Sequence, residues 1–203
     1  DRSSTTFTIS DLFVIAEQLG FVWKLEKLCR NKALKAAVEK PENVKLFLNV
    51  DGNIIQDKAF IQGFTNRKAM KAGVPASDIV FEITERSDIE NYQILQQIMK
   101  HYADQGYEIA LDDVGAGHSG LNRVVNTTPD YLKADIELVR DIHKYKKKEI
   151  MMKLLLDYCN ATGAILIAEG IETVQELECL HSLGVHYGQG FSLGKLERAF
   201  GNI

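Results

Sequence analysis

The chain has 203 residues, 45% of them hydrophobic, and a formal net charge of −4. That is enough apolar material for one substantial core, and no proline- or serine-rich linker divides it, so a single domain over residues 1–203 is expected. The acidic balance excludes broad electrostatic binding to long nucleic acid, no apolar run approaches the roughly 20 residues that span a bilayer, and no signal peptide is visible; the expectation is a cytoplasmic domain, any membrane anchor lying further upstream.

Six short apolar runs follow one another along the chain: Val44 to Asn49, Ile79 to Glu82, Tyr107 to Asp112, Tyr131 to Lys133, Ala164 to Glu169 and Val185 to Gln189. Their β-branched and aliphatic character predicts strands buried on both faces. Between them, Leu95, Ile98, Met99 and Tyr102 form one helical stripe, and Ile150, Met151, Leu154, Leu155 and Tyr158 another. Lys144, Lys146, Lys147 and Lys148 open the second helix and read as a solvated face. Thr173 and Glu176 have capping-box spacing ahead of a helix that Gly184 stops. Cys29, Cys159 and Cys179 are odd in number and lack zinc-ligand spacing, so free, reduced thiols are expected.

Strand alternating with helix implies a parallel sheet, either open and doubly wound or closed as a barrel. Each strand ends on an acid, an amide or a lysine, which is how the catalytic rim of a (β/α)8 barrel is built. An open sheet gathers its ligand groups near one switch point, and no glycine-rich dinucleotide fingerprint follows the first strand. The predicted fold is therefore α/β, a TIM-like (β/α)8 barrel. Six strands do not close the usual eight-stranded barrel, so two more are expected upstream of Asp1, the domain being incomplete at its N-terminus.

The densest polar run is Leu111-Asp112-Asp113-Val114-Gly115-Ala116-Gly117. A chain leaving a strand can turn adjacent carboxylates toward one volume, Asp113 then beginning the turn. Two such charges repel unless cations sit between them. Asn49, Glu82, Glu169 and Glu172 stand at equivalent strand ends or just beyond them. An oxygen-only donor set suits Mg2+ or Mn2+ better than zinc. Two such ions about 3.5 to 4 Å apart clamp a phosphate ester and activate water for in-line attack, which makes phosphodiester hydrolysis the sharpest expectation. Lys133 adds a fixed positive charge on the same rim; alone it would read as a salt-bridge partner, and beside the carboxylates it reads as part of the site. His118 has no second histidine at useful spacing and reads as a loop residue.

At these residues the chain resembles the EAL-domain family, bacterial phosphodiesterases acting on cyclic di-GMP. Leu48-Asn49-Val50 resembles the family's VN strand end, and Phe81 to Glu85 its EITE. Leu111 to Leu121, LDDVGAGHSGL, is similar to LDDFGTGYSSL, and Leu132 to Asp135 to KID. Ala168 to Thr173 is similar to AEGVET, Gln189-Gly190-Phe191 to QGY, and Phe13 to Gly20 to a helix upstream of them. The resemblance implies hydrolysis of cyclic di-GMP to linear pGpG with two Mg2+ or Mn2+ ions. It implies Asn49, Glu82, Asp112, Asp113 and Glu169 as metal ligands, and Lys133, Glu169 and Asp113 as the catalytic groups. Gln189, Glu172 and Asp135 fall to the substrate side, and Glu85 braces the loop after Asp113. It further implies a homodimer, and a sensory or cyclase domain upstream in the full chain.

The resemblance has gaps. The Glu-Ala-Leu triplet that names the family, source of a further metal-ligand glutamate, does not occur in the sequence and is expected before Asp1. Val114, Ala116, His118 and Gly120 replace the family's usual Phe, Thr, Tyr and Ser, and Gly194-Lys195-Leu196 lacks its closing proline. Two other functions compete: a catalytically inactive cyclic di-GMP receptor on the same fold, and an unrelated (β/α) metal enzyme with a lysine base.

Overall fold

The structure is a computed structural model that describes residues 7–52, 54–83, 92–115 and 120–195. Its core is one parallel sheet of six strands: β1 (Leu46–Val50), β2 (Ile79–Ile83), β3 (Glu108–Val114), β4 (Tyr131–Ala134), β5 (Ile165–Ala168) and β6 (Tyr187–Gly188). Spatial order equals chain order, β1-β2-β3-β4-β5-β6. A doubly wound sheet reverses its order at a switch point, and this one does not, so it is the arc of a TIM-like barrel. All six predicted strands are present. β3 runs two residues past Asp112, and β6 is shorter than the predicted Val185 to Gln189.

Period-2 alternation gives each strand two distinct faces. Leu48, Val50, Ile79, Phe81, Ile83, Ile109, Leu111, Leu132, Ala134, Leu166 and Ala168 face outward into the main core, which they share with helix residues. Those helices include α2 (Val22–Ala36), α3 (Phe64–Ala72), α4 (Tyr92–Ala103), α5 (Gly120–Asn126), α7 (Lys146–Thr162) and α8 (Val174–Leu183). The opposite, concave face carries a separate cluster of Val80, Ala110 and Tyr131 with Phe47, Ile165 and Ile167. Below it, Lys45 Nζ meets Glu108 Oε1 at 2.7 Å and the Tyr131 hydroxyl donates to Glu108 Oε2 at 2.8 Å. Above it, the same inward register continues into Asn49, Glu82, Asp112 and Lys133.

Helix α4 buries Leu95, Ile98, Met99 and Tyr102 as the stripe predicts. Helix α7 corrects its stripe: Met152, Leu155 and Cys159 are buried, whereas Ile150 and Leu154 are 52% and 57% exposed. Apolar residues surround most of this helix, so periodicity cannot select its inner face, and packing does. Among the described residues two capping boxes are present, Thr8 with Asp11 on α1 (Ile9–Gln18) and Thr173 with Glu176 on α8. Lys144 and Lys146 are solvated ion-pair partners of Asp141 and Glu149, while Lys148 donates to the carbonyls of Glu137 and Arg140 at the end of α6 (Ile136–Val139). The three cysteines are free. Among the described residues no helix is long and apolar enough to cross a membrane.

Candidate active site

The Asp112-Asp113 pair does not reach one volume through a turn, as its sequence suggests. Leu111 pairs with Leu132 and Val114 with Ala134, so two residues of β3 oppose Lys133 alone. This is a β-bulge, the device that re-aims a side chain while the strand continues. Asp113 adopts φ +56°, the left-handed region that aspartate enters more readily than most residues. Asp112 Oδ1 accepts the backbone N–H of Asp113 at 3.1 Å.

Lys133 is the hub, only 4% exposed. Its Nζ lies 2.6 Å from Glu82 Oε1, 2.9 Å from Asp112 Oδ1 and 2.6 Å from Glu169 Oε1. Asp112, Asp113 and Glu169 each bring a carboxylate oxygen to within 4.8 Å of the others. Asp135 is buried as the N-cap of α6, accepting the Glu137 N–H at 2.7 Å, and its negative charge acts on the Asp113 carboxyl. Glu169 follows β5 directly and is pinned to β4 by its N–H to the Ala134 carbonyl at 3.0 Å.

Charge in this cluster is unbalanced. Burial, then the Asp112 and Asp135 charges, push Asp113 up to about 6. Burial raises Glu169 to about 7 against the pull of Lys133, with Asp112 adding to the rise. Burial also raises Glu82. On Lys133 burial acts downward, but Glu82, Asp112 and Glu169 outweigh it and hold the ammonium above the usual lysine range. Four clustered carboxylates against one ammonium form a donor set that hard divalent cations complete.

The pH consequence has a definite sign. Asp113 holds its proton to about pH 6 in the folded chain and releases it near 4 in the unfolded one. Between these values the folded state binds more protons, so this group's contribution to stability is greatest below about pH 4 and falls as pH rises through 6. In EDTA, Asp113→Asn is expected to raise the melting temperature at pH 7.5 and to raise it only about half as much at pH 5. Melting curves of both proteins at the two pH values check this, and a difference that does not grow with pH contradicts it.

Asn49, the penultimate residue of β1, has its side chain exposed to a cavity of about 360 Å³ that it shares with Asp51, Asp112, Asp113, Glu26 and residues of α1. Gln189 and Glu172 line a neighbouring cavity of about 380 Å³ with Ile136, Gly170 and Phe191. Glu172 does not join the carboxylate cluster; it is half-exposed and 3.4 Å from Arg140. Glycine at 190 follows from close approach: a Cβ there would lie 2.2 Å from the Ile171 carbonyl oxygen. Glu85 and His118 lie outside the described residues. Sequence reasoning missed Glu26, which lines the first cavity, and read Glu176 as a capping-box partner alone, whereas its carboxylate accepts the N–H groups of Asp141 and Glu172 as well as that of Thr173.

The EAL domain family pattern matches residues 2–195. The chain belongs to the EAL-domain family. Among EAL-domain relatives, the cyclic di-GMP phosphodiesterase PdeR of Escherichia coli is 28% identical over 192 residues, which are 91% of this chain and 28% of that protein. The cyclic di-GMP phosphodiesterase PdeB of Shewanella oneidensis is 25% identical over 148 residues, 73% of this chain and 17% of that one. The chain thus spans less than a third of either curated EAL-domain protein. Among solved structures, the manganese and cyclic di-GMP complex of Klebsiella pneumoniae BlrP1 superposes with TM-score 0.81 at 28% identity, covering 91% of this chain and 47% of that one.

Proposed function

We propose that this chain is part of a phosphodiesterase that opens cyclic di-GMP to linear pGpG with two Mg2+ or Mn2+ ions. The observation that carries the reading is the convergence of Asp112, Asp113 and Glu169 around the Lys133 hub. BlrP1 binds manganese and cyclic di-GMP on the same fold.

Asn49, Glu82, Asp112, Asp113 and Glu169 would hold the ions. Bound there, the ions supply charge neutralisation at the phosphate and activation of the attacking water. Lys133 keeps its proton and serves as a fixed positive charge facing a phosphoryl oxygen. Glu169, raised to about 7, is a carboxylate able to take a proton near neutral pH. Asp135 adds negative charge beside Asp113, and Gln189 and Glu172 border the volume where the substrate continues. We also propose a homodimer, as family membership suggests, and an upstream sensory or cyclase domain, the latter in keeping with the greater length of the relatives.

The test is hydrolysis of cyclic di-GMP with Mn2+ or Mg2+, pGpG being read by chromatography, for this chain and for a version extended upstream. Release of pGpG is expected from the extended version. The competing outcome is a receptor that binds the nucleotide on the same fold without opening it. Nucleotide binding by both versions without turnover would replace the enzyme with that receptor.

A further inference from the structure

Glu26, on α2, is 2% exposed and is neither a strand-end acid nor a member of the carboxylate cluster. It does two things at once. One carboxylate oxygen takes the guanidinium of Arg30, one turn along the helix, and the other accepts the backbone N–H of Asp51 at 2.5 Å. Asp51 is the first residue past β1 and the second past Asn49, at the point where the β1–β2 ladder has ended.

Arg30 is itself held on several sides. Nη1 donates to Thr65 Oγ1 and to the Tyr102 hydroxyl, each at 3.2 Å. The guanidinium lies over the rings of Trp23, Phe81 and Tyr102, at 5.3, 5.0 and 5.7 Å. A buried ion pair is a poor way to stabilise a core, because apolar residues of similar volume do as well or better. What this pair provides and an apolar pair would not is a rigid acceptor aimed at the backbone beside Asn49. Glu26, Asn49, Asp112 and Asp113 moreover line the same cavity.

We propose that Glu26 is a positioning residue for the metal site: clamped by Arg30, its carboxylate fixes the exit of β1 and so sets the reach of Asn49 toward Asp112 and Asp113. This rests on Asn49 being a metal ligand, as proposed above. Partners that orient metal ligands in this way typically account for about ten- to a hundredfold in metal affinity.

Mn2+ titration calorimetry, with a melting curve for each protein, tests it. Asn49→Ala weakens Mn2+ binding if the site is read correctly. The pair replacement Glu26→Leu with Arg30→Met, which leaves no unpaired buried charge, is expected to weaken Mn2+ at least about tenfold while the protein stays folded. Glu26→Gln, which keeps an acceptor for Asp51, is expected to recover the affinity to within about threefold. In the Asn49→Ala background the pair replacement should cost nothing further, since both act through one ligand. Wild-type affinity in the folded pair variant, or costs that add in full, would overturn the proposal. Should the pair variant not fold, Glu26→Asp decides in its place: it keeps a charge for Arg30 but stops one methylene short of Asp51, and the same loss and the same dependence on Asn49 are expected. Absence of Mn2+ binding by the wild-type protein overturns the metal reading first, and is distinguishable because no variant is needed to see it.

Discussion

Replacing Asp112 and Asp113 together by asparagine is expected to lower metal-dependent hydrolysis of cyclic di-GMP by at least about a thousandfold. Metal ions supply several kcal/mol of transition-state stabilisation in two-ion phosphodiester sites, and each 1.36 kcal/mol is tenfold in rate. The pair provides two of the three carboxylates that converge on one point, so its loss leaves Glu169 alone there. The fold should survive. Asparagine is close in shape, keeps a carbonyl oxygen where Asp112 accepts the Asp113 N–H, and removes two crowded negative charges. In metal-free buffer the double variant should melt no lower than wild type near neutral pH, and Mn2+ should raise its melting temperature less. Turnover measured beside melting curves with and without Mn2+ checks both. Wild-type turnover by the double variant would remove the bulge from the chemistry.

The strands were legible because a strand buried on both faces has a short apolar signature, and because each ended on a polar residue that a buried sheet would otherwise exclude. Asn49, Glu82, Asp112, Lys133 and Glu169 come to one rim for that reason: they terminate successive strands of a sequentially ordered sheet. The bulge was not legible. Nothing in Leu111-Asp112-Asp113-Val114 separates a strand that turns at Asp113 from one that continues through it, since only the pairing with β4 reveals the extra residue. Glu172 stands apart from the carboxylate cluster for a related reason. Three residues past Glu169 the chain has left the strand, and its carboxylate pairs with Arg140 on the rim of the neighbouring cavity. Glu26 and Arg30 were hidden differently: opposite charges four apart on a helix look like an exposed pair, and only packing against Trp23, Phe81 and Tyr102 shows that this one is buried.

Lys133→Ala is expected to reduce turnover strongly while metal binding is retained, and also to destabilise the metal-free protein. Its ammonium is the shared partner of Glu82, Asp112 and Glu169. Removing one side of a buried ion pair typically costs about 3–5 kcal/mol because the remaining charge stays uncompensated. For a chain of this size that corresponds to a fall in melting temperature of roughly 10 °C near pH 7.5 in EDTA. The loss should shrink toward pH 5. Without the lysine, Glu82 and Glu169 rise further above the ordinary carboxylate range, so at low pH the folded state holds protons in place of the missing cation. Saturating Mn2+ should recover much of the stability, because divalent charge enters the same cluster, but should not recover the rate, because the fixed charge facing the phosphoryl group is gone. Melting curves at both pH values, with EDTA and with Mn2+, separate these effects. If Lys133→Ala melted like wild type in EDTA at pH 7.5, Lys133 would not be the charge that holds the cluster together. Recovery of stability and rate together on adding Mn2+ would reduce its role to a stand-in for the metal.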